Sequence, residues 1–230
     1  MSFRFKQFSI QDDRCAMKVG TDGVLLGAWS PVGTRILDIG TGSGLIALML
    51  AQRYPQARID AIDIDEAAIE QARENFQSSV FSQQLATFLS SLQEWKGGPY
   101  DLIVSNPPYF RNSLKNPDKG RTQARHTDSL SYAELITHSA RLLTDEGRLA
   151  LILPAEAESE VRGLAASEKL SLVRVTRVYS KENKPVRRVM MEWRVKRQEP
   201  AFERQDTLIL EDEKGLRSAV YQELTKDFYL

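Results

Sequence analysis

The stretch Ile36-Leu37-Asp38-Ile39-Gly40-Thr41-Gly42-Ser43-Gly44 decides how the rest of the chain is read. Residues 36–39 form a short apolar strand, and Leu45–Arg53 has helical character with Pro55 just beyond it. Glycines at alternate positions let the backbone pass close beneath a ligand and turn sharply into a helix, whose first amides are electropositive. A plain strand-to-helix turn would need only one glycine.

Working outward, the same alternation continues. Residues 59–64 form the next strand, and Asp65 caps a helix running through residue 75, with Glu66 in its first turn and Ala67, Ala68, Ile69 and Ala72 on its inner side. Leu85–Leu89 and 100–104 are further strands. A helix over 131–143 opens with Ser131 and Glu134 in capping-box spacing. Gly147 ends that turn, and 148–153 is a strand stopped by Pro154. Residues 172–179 and 187–195 are β-rich runs joined by a connection too short for a crossover helix, hence an antiparallel hairpin. The fold expected is α/β: a doubly wound, mostly parallel sheet of seven strands ending in an antiparallel hairpin. It is read as one domain over 31–197, with 1–30 as an N-terminal cap segment and 198–230 as a C-terminal segment packed on the same domain.

The chain has 230 residues, 42% of them apolar and 27% charged, ordinary values for a globular protein rather than a disordered or fibrous one. Its longest apolar run, from Leu45 to Ala51, is far below the roughly 18 residues needed to cross a bilayer. Met1-Ser2-Phe3-Arg4-Phe5-Lys6 has no apolar h-region and no small-residue cleavage site, so no secretory signal is expected. The single cysteine, Cys15, fits a reducing compartment. A cytoplasmic protein is expected. The net charge of zero hides a segregation: nine Lys/Arg against two Glu from Arg174 to Arg197, and five Lys/Arg against one Asp from Arg111 to Arg125. Two such stretches form either a positive face for a polyanion or ordinary solvated surface.

About 20 residues beyond the glycine loop, Asp63 ends the second strand, where a carboxylate can accept both hydroxyls of a ribose. Gly42-Ser43-Gly44-Leu45-Ile46-Ala47 also satisfies the looser dinucleotide fingerprint, so the loop alone leaves a nicotinamide cofactor and S-adenosylmethionine both open. Asp38 shifts the weight, because a carboxylate there suits the cationic amino group of a methionine moiety and not a pyrophosphate. The Asp-x-Gly-x-Gly-x-Gly pattern with the terminal hairpin resembles the class I S-adenosylmethionine-dependent methyltransferases over roughly residues 20 to 197. The resemblance implies S-adenosylmethionine as cofactor, held by Asp38, Gly40, Gly42, Gly44 and Asp63.

The strand at 100–104 runs into Asn106-Pro107-Pro108-Tyr109. In a doubly wound sheet, ligands bind at the carboxyl ends of the strands, so this tetrapeptide should face the reacting methyl. An exocyclic amine is a poor nucleophile because its lone pair is delocalised. Donating its two N–H groups to the Asn106 side-chain oxygen and the Pro107 carbonyl would favour a more tetrahedral nitrogen. Pro107 and Pro108 hold the backbone extended and remove competing donors. Tyr109 or Phe110 can stack on a planar group. The tetrapeptide matches the amino-methyltransferase motif shared by enzymes acting on adenine N6, cytosine N4, guanine N2 and protein glutamine, and it names a reaction rather than a substrate.

Three further segments, 17–29, 124–132 and 228–230, together resemble the bacterial tRNA1(Val) adenine-37 N6-methyltransferase family across nearly the whole chain. This implies methylation of adenine beside the anticodon. It also implies that Lys18, Thr21 and Asp22 cover the cofactor, although residues 18–29 read in isolation would be an amphipathic capping helix. Where many relatives carry an Asp for the cofactor adenine, this chain reads Ser90-Ser91-Leu92, leaving Ser91 and the Leu92 amide for that contact. The long segment 111–127 is a plausible substrate lid.

Arg111, Lys115, Lys119, Arg121 and Arg125 there, with Lys184, Arg187 and Arg188 of the hairpin, are the candidate RNA contacts, along with Phe110 and His126. The anticodon loop of a tRNA is the expected partner, with no DNA, membrane or obligate protein partner. No metal set is read, and neither His126 nor His138 is given a catalytic role. Rival readings are a ribosomal RNA amino-methyltransferase, a protein-glutamine N5-methyltransferase, and a non-catalytic RNA-binding module that retains the cofactor.

Overall fold

A computed structural model describes residues 2–108, 130–195 and 202–230. A two-stranded hairpin, β1 (Ser2–Arg4) with β2 (Ser9–Gln11), precedes α1 (Thr21–Trp29). Then come β3 (Arg35–Ile39), α2 (Leu45–Arg53), β4 (Arg58–Asp63), α3 (Glu66–Gln77), β5 (Leu85–Leu89), β6 (Tyr100–Ser105) and α4 (Tyr132–Leu142). The chain continues through β7 (Leu143–Pro154), α5 (Glu158–Ser167), β8 (Leu170–Tyr179), β9 (Val186–Val195), β10 (Arg204–Ile209) and α6 (Ala219–Thr225).

The main sheet runs β10-β8-β9-β7-β6-β3-β4-β5, with β9 alone antiparallel to its neighbours. The expected α/β sheet and its closing hairpin are present, but the sheet has eight strands rather than seven. The additional strand, β10, lies in the C-terminal segment and pairs in parallel with β8, from Arg204 opposite Arg174 to Ile209 opposite Tyr179. Its sequence, Arg204-Gln205-Asp206-Thr207-Leu208-Ile209, carries no apolar alternation along its first half, because ion pairs hold it there: Asp206 accepts from Arg174 at 2.9 Å and from Arg204 at 2.8 Å. An edge strand exposed on one face needs little apolar content.

Helices α1, α2, α3 and α6 pack on one face of the sheet, while α4 and α5 cover the other. The apolar runs of β3, β6 and β7 are buried between the two layers, as strands of a sheet covered on both faces must be. Asp65 caps α3 by accepting from the Ala67 amide at 2.9 Å, and Ser131 and Glu134 form the reciprocal box at α4.

Three local expectations are corrected. Ala67 is exposed; the buried face of α3 is Ala68, Ile69, Gln71, Ala72, Asn75 and Phe76. Gly147 does not terminate a turn but lies inside the long strand β7, which changes register against β6 between Tyr100 and Leu102. Helix α1 is not amphipathic, since all residues from Gly23 to Trp29 are buried. It is wedged against α2, and a side chain at Gly27 would come within 2.7 Å of the Met49 sulfur.

This topology positions the site. Strand β3 has β4 on one side and β6 on the other, so the order reverses there, the place where doubly wound sheets open a crevice. Ile39 and Ser105 are opposite each other, and the Ser105 hydroxyl donates to the Ile39 carbonyl at 2.8 Å. The loops beginning at Gly40 and Asn106 therefore leave the sheet side by side.

Candidate active site

The glycine loop is held by backbone bonds. The amides of Gly40 and Thr41 both donate to the Ile62 carbonyl, at 2.9 and 3.1 Å, and Gly44 donates to Thr41 at 2.9 Å. Gly40, Gly42 and Gly44 all have positive φ, at 68°, 54° and 82°. A Cβ at Gly40 or Gly42 would meet nothing within 4 Å, whereas at Gly44 it would stand 2.3 Å from the Phe76 ring. The first two leave open space above the loop, and the third is a packing contact with α3. Gly44→Ala should combine left-handed strain with overpacking and cost about 2–4 kcal/mol. That corresponds to a fall in Tm of about 5–15 °C for a domain of this size. Gly44→Ala/Phe76→Leu should recover part of the loss in a thermal melt; a double variant no better than the single would assign the cost to backbone strain alone.

A cavity of about 410 Å³ opens over this loop, a size within the usual range for small-molecule sites. Thr41, Gly42 and Ser43, the segment from Met17 to Gly23, and Asn106 line it together. Of the residues singled out from sequence, Lys18, Thr21, Asp22, Gly42 and Asn106 line this one hollow. Met17, Val19, Leu45 and Ile46 also line it and carried no sequence signal beyond their position beside the motifs.

Asp38 is fully buried and does not itself line this hollow; it meets it through Thr41, which does. Its Oδ2 accepts from the Thr41 hydroxyl at 2.7 Å, while Oδ1 is buried without a hydrogen-bond partner. Burial lifts this carboxyl to about 7; the Thr41 hydroxyl and the Ala47 amide oppose the rise and the Asp63 charge adds to it. The Thr41 contact was not anticipated, although a hydroxyl three residues beyond an acid in a tight loop is a readable spacing. Asp63 accepts from the Gly42 amide at 2.9 Å through Oδ2 and from the Asp65 amide at 3.0 Å through Oδ1. Each carboxylate oxygen has two lone-pair sites, so one remains on each for a diol. Ser90 donates its amide to the Asp63 carbonyl at 3.0 Å, which brings the start of the Ser90-Ser91-Leu92 segment beside Asp63. The Ser91 hydroxyl lies 3.3 Å from a Glu94 oxygen, and Leu92 is buried in the core on the α4 side.

The carbonyl oxygen of the Asn106 side chain is buried and without a partner among the described residues. Pro107 is buried and Pro108 exposed. An acceptor kept from water and from other donors is an energetic cost unless a ligand supplies the donor. The orphaned oxygens of Asp38 and Asn106, with the open space over Gly40 and Gly42, fit a ligand carrying a cationic amine at one end and presented to a second amine at the other.

Two of the candidate residues have protein partners. The Lys18 ammonium donates to the carbonyls of Asp12, Asp13 and Cys15, at 2.7, 3.1 and 3.1 Å. Lys18 thus lines the cavity while its charge closes the 12–15 turn rather than reaching over the hollow. Arg188, assigned to RNA, donates from Nε to Asp22 at 2.8 Å and so braces the cavity wall. Lys184 and Arg187 are exposed at the hairpin. Elsewhere the basic hairpin is partly neutralised: Arg174 pairs with Asp206, Arg177 with Glu158, and Lys181 with Glu211. His138 is half-buried on α4, its Nδ1 3.1 Å from Arg141. Tyr109, Phe110, Arg111, Lys115, Lys119, Arg121, Arg125 and His126 lie outside the described residues.

Comparison with known proteins supplies what geometry leaves open. Residues 19–179 match the model of the methyltransferase small domain. The chain is 47% identical to the tRNA1(Val) (adenine(37)-N6)-methyltransferase of Parabacteroides distasonis, covering 99% of this chain and 97% of that one. It is 45% identical to the protein of the same name from Aeromonas hydrophila, over 99% and 97%. The chain belongs to this methyltransferase family. Among solved structures, a predicted O-methyltransferase from Agrobacterium tumefaciens superposes with a TM-score of 0.72 at 15% identity, covering 90% of this chain and 96% of that one. A ribosomal protein L11 methylase from Lactobacillus delbrueckii does so at 0.54 and 18%, covering 76% and 77%. At such identities these two show the shared fold alone. As a member of the family the protein is an S-adenosylmethionine-dependent methyltransferase, and the nicotinamide reading of the glycine loop falls away.

Proposed function

We propose that the protein methylates N6 of adenine 37 in tRNA1(Val), the reaction named for its relatives, with the anticodon loop as the recognised element. The observation that carries the chemical part is the Asn106 oxygen, buried and, among the described residues, unpartnered, on a side chain that lines the same hollow as the glycine loop. S-adenosylmethionine, when bound, supplies an electrophilic methyl group on a sulfonium.

The chain's own residues do the rest. Asp38 attracts a cationic amine to the cavity, and Asp63 accepts from ribose hydroxyls with its remaining lone pairs. Ser91 and the Leu92 amide serve the cofactor's base. Asn106 and the Pro107 carbonyl accept from the two N–H groups of the substrate amine and turn its lone pair toward the methyl. Tyr109 stacks on the adenine. Holding the reacting groups at near-attack distance is the largest contribution, and a base in a single-stranded loop is easier to splay out than one in a duplex.

The β1–β2 hairpin and the C-terminal residues belong to the same functional unit in this reading, supported by the Lys6 amide donating to the Phe228 carbonyl at 2.9 Å. Acting on tRNA places the protein in the cytoplasm. The test is transfer of labelled methyl to tRNA isolated from a strain lacking the protein, with ribosomal subunits and release factor as competitors. Label appearing at adenine 37 of the valine tRNA supports the reading, and label in ribosomal RNA or glutamine overturns it.

RNA binding should be salt-dependent through Lys184 and Arg187. Replacing both with alanine should flatten the slope of log K against log salt by about 1.4, since each phosphate of a single strand that is no longer neutralised removes about 0.7. An unchanged slope would remove them from the RNA interface.

A further inference from the structure

The Asn75 side chain is almost wholly buried, and its amide makes three hydrogen bonds in three directions. Oδ1 accepts from the Gln11 amide at 2.9 Å, and Nδ2 donates to the Gln11 carbonyl at 2.8 Å and to the Ser43 carbonyl at 2.8 Å. Gln11 is the last residue of β2, in the N-terminal segment, and Ser43 is the penultimate residue of the glycine loop, on the cavity wall. From Asp12, the residue after Gln11, the chain leads directly to the 17–23 segment: Asp12 Oδ2 accepts from the Val19 amide at 2.9 Å. One amide group in the C-terminal turn of α3 thus bonds the glycine loop directly and reaches the 17–23 segment through Gln11 and Asp12.

We infer that Asn75 is a positioning residue for the cofactor cavity, setting the separation between the glycine loop and the 17–23 wall. The inference rests on the cofactor assignment of that hollow. The physical reason is the pairing of donors. A carbonyl in a tight glycine loop has no helix or strand partner of its own, and leaving it buried and unpaired is costly. Asn75 satisfies it from a rigid helix. A bidentate bond to Gln11 fixes the amide's orientation, so the Ser43 carbonyl is held at one place rather than merely solvated. The neighbouring Phe76 acts in the same sense from beneath Gly44. Geometry at a ligand site has to be held within a fraction of an ångström by surrounding residues, and Asn75 occupies that supporting position.

Gln71 provides the control. It lies one turn earlier on α3, is fully buried, and also reaches the N-terminal segment, accepting from Arg14 Nε at 3.3 Å, but among the described residues it makes no hydrogen bond to the glycine loop. Asn75→Ala and Gln71→Ala should both lower Tm. In titration calorimetry with S-adenosylhomocysteine at a temperature where both are folded by circular dichroism, Asn75→Ala should weaken binding about tenfold or more, the loss of one buried hydrogen bond's worth of positioning. Gln71→Ala should bind within a factor of two of the parent, by its separation from the loop. The loss should also appear as a raised KM for S-adenosylmethionine in Asn75→Ala, with Gln71→Ala staying near the parent.

Asn75→Asp separates the two directions of the amide. It keeps the acceptor for the Gln11 amide but faces both the Gln11 and the Ser43 carbonyls with an oxygen, so it should bind no better than Asn75→Ala. Equal cofactor affinity in folded Asn75→Ala and the parent would overturn the inference. So would equal weakening in Asn75→Ala and Gln71→Ala, which would mark the effect as general loosening of α3. Failure of the parent itself to bind S-adenosylhomocysteine would instead overturn the cofactor assignment.

Discussion

Asn106→Ala should lower single-turnover methyl transfer to tRNA about 100- to 1,000-fold, the scale seen when one preorganised polar group aimed at a reacting centre is removed. The side chain lines the cavity, Asp38 does not, and among the described residues the Asn106 oxygen has no other partner to lose. Cofactor affinity should therefore stay close to that of the parent, and tRNA affinity should fall little. The fold should not suffer, because deleting an unsatisfied buried acceptor removes a desolvation cost rather than a bond. Asn106→Asp is the sharper probe. It retains an acceptor of the same shape, so activity should recover in part where the carboxylate is ionised. A joint loss of cofactor binding and activity in Asn106→Ala would show that the residue shapes the hollow instead of acting on the amine.

Asp38 should make cofactor affinity depend on pH, with an effect of similar size. Its carboxyl sits near 7 without a ligand because it is buried, and a cationic amine placed against it would favour the ionised form. If the ionised form is the one that binds, affinity should weaken about tenfold for each pH unit below about 7 and level off above it. Measurements between about pH 5 and 6.7 stay a unit or more below the ordinary range of about 7.7–8.0 for an α-amino group, so the ligand's amine remains about nine-tenths or more protonated. Asp38→Asn should bind weakly with no such slope, and a pH-dependent Asp38→Asn would show that another group titrates.

Stability of the unliganded protein should move the other way. The folded-state value lies above the ordinary 3.8, so the folded protein holds an extra proton between about pH 4 and 7. This group's contribution is therefore lost as pH rises through that window. In thermal melts Asp38→Asn should gain on the parent as pH climbs from 4 to 8; a constant difference across that range would place the carboxyl pKa near its ordinary value.

The elements nearest the chemistry were the most readable. Helix α2 begins and ends where its apolar run and Pro55 place it, and α4 starts at its capping box. Both signals are local, decided by hydrogen bonds within four residues. Gly40, Gly42 and Gly44 were legible for the same reason, since a positive φ admits little else. Strand β10 was not, because its polar half meets β8 through the Arg174–Asp206 ion pair and backbone pairing, and neither leaves a periodicity in the sequence.

Sequence order and local chemistry were enough to assign the glycine loop, the Asn106 turn, the parallel strands carrying them and the reaction class. Which charges serve the cavity was settled in three dimensions. Lys18 turns its ammonium back onto the 12–15 turn, Arg188 crosses from the hairpin to Asp22, and Asn75 reaches both Gln11 and Ser43. Long side chains choose partners by what the packed backbone brings within about 3 Å. Residues separated by 166 positions in the chain, as Arg188 and Asp22 are, become neighbours only once the sheet has formed.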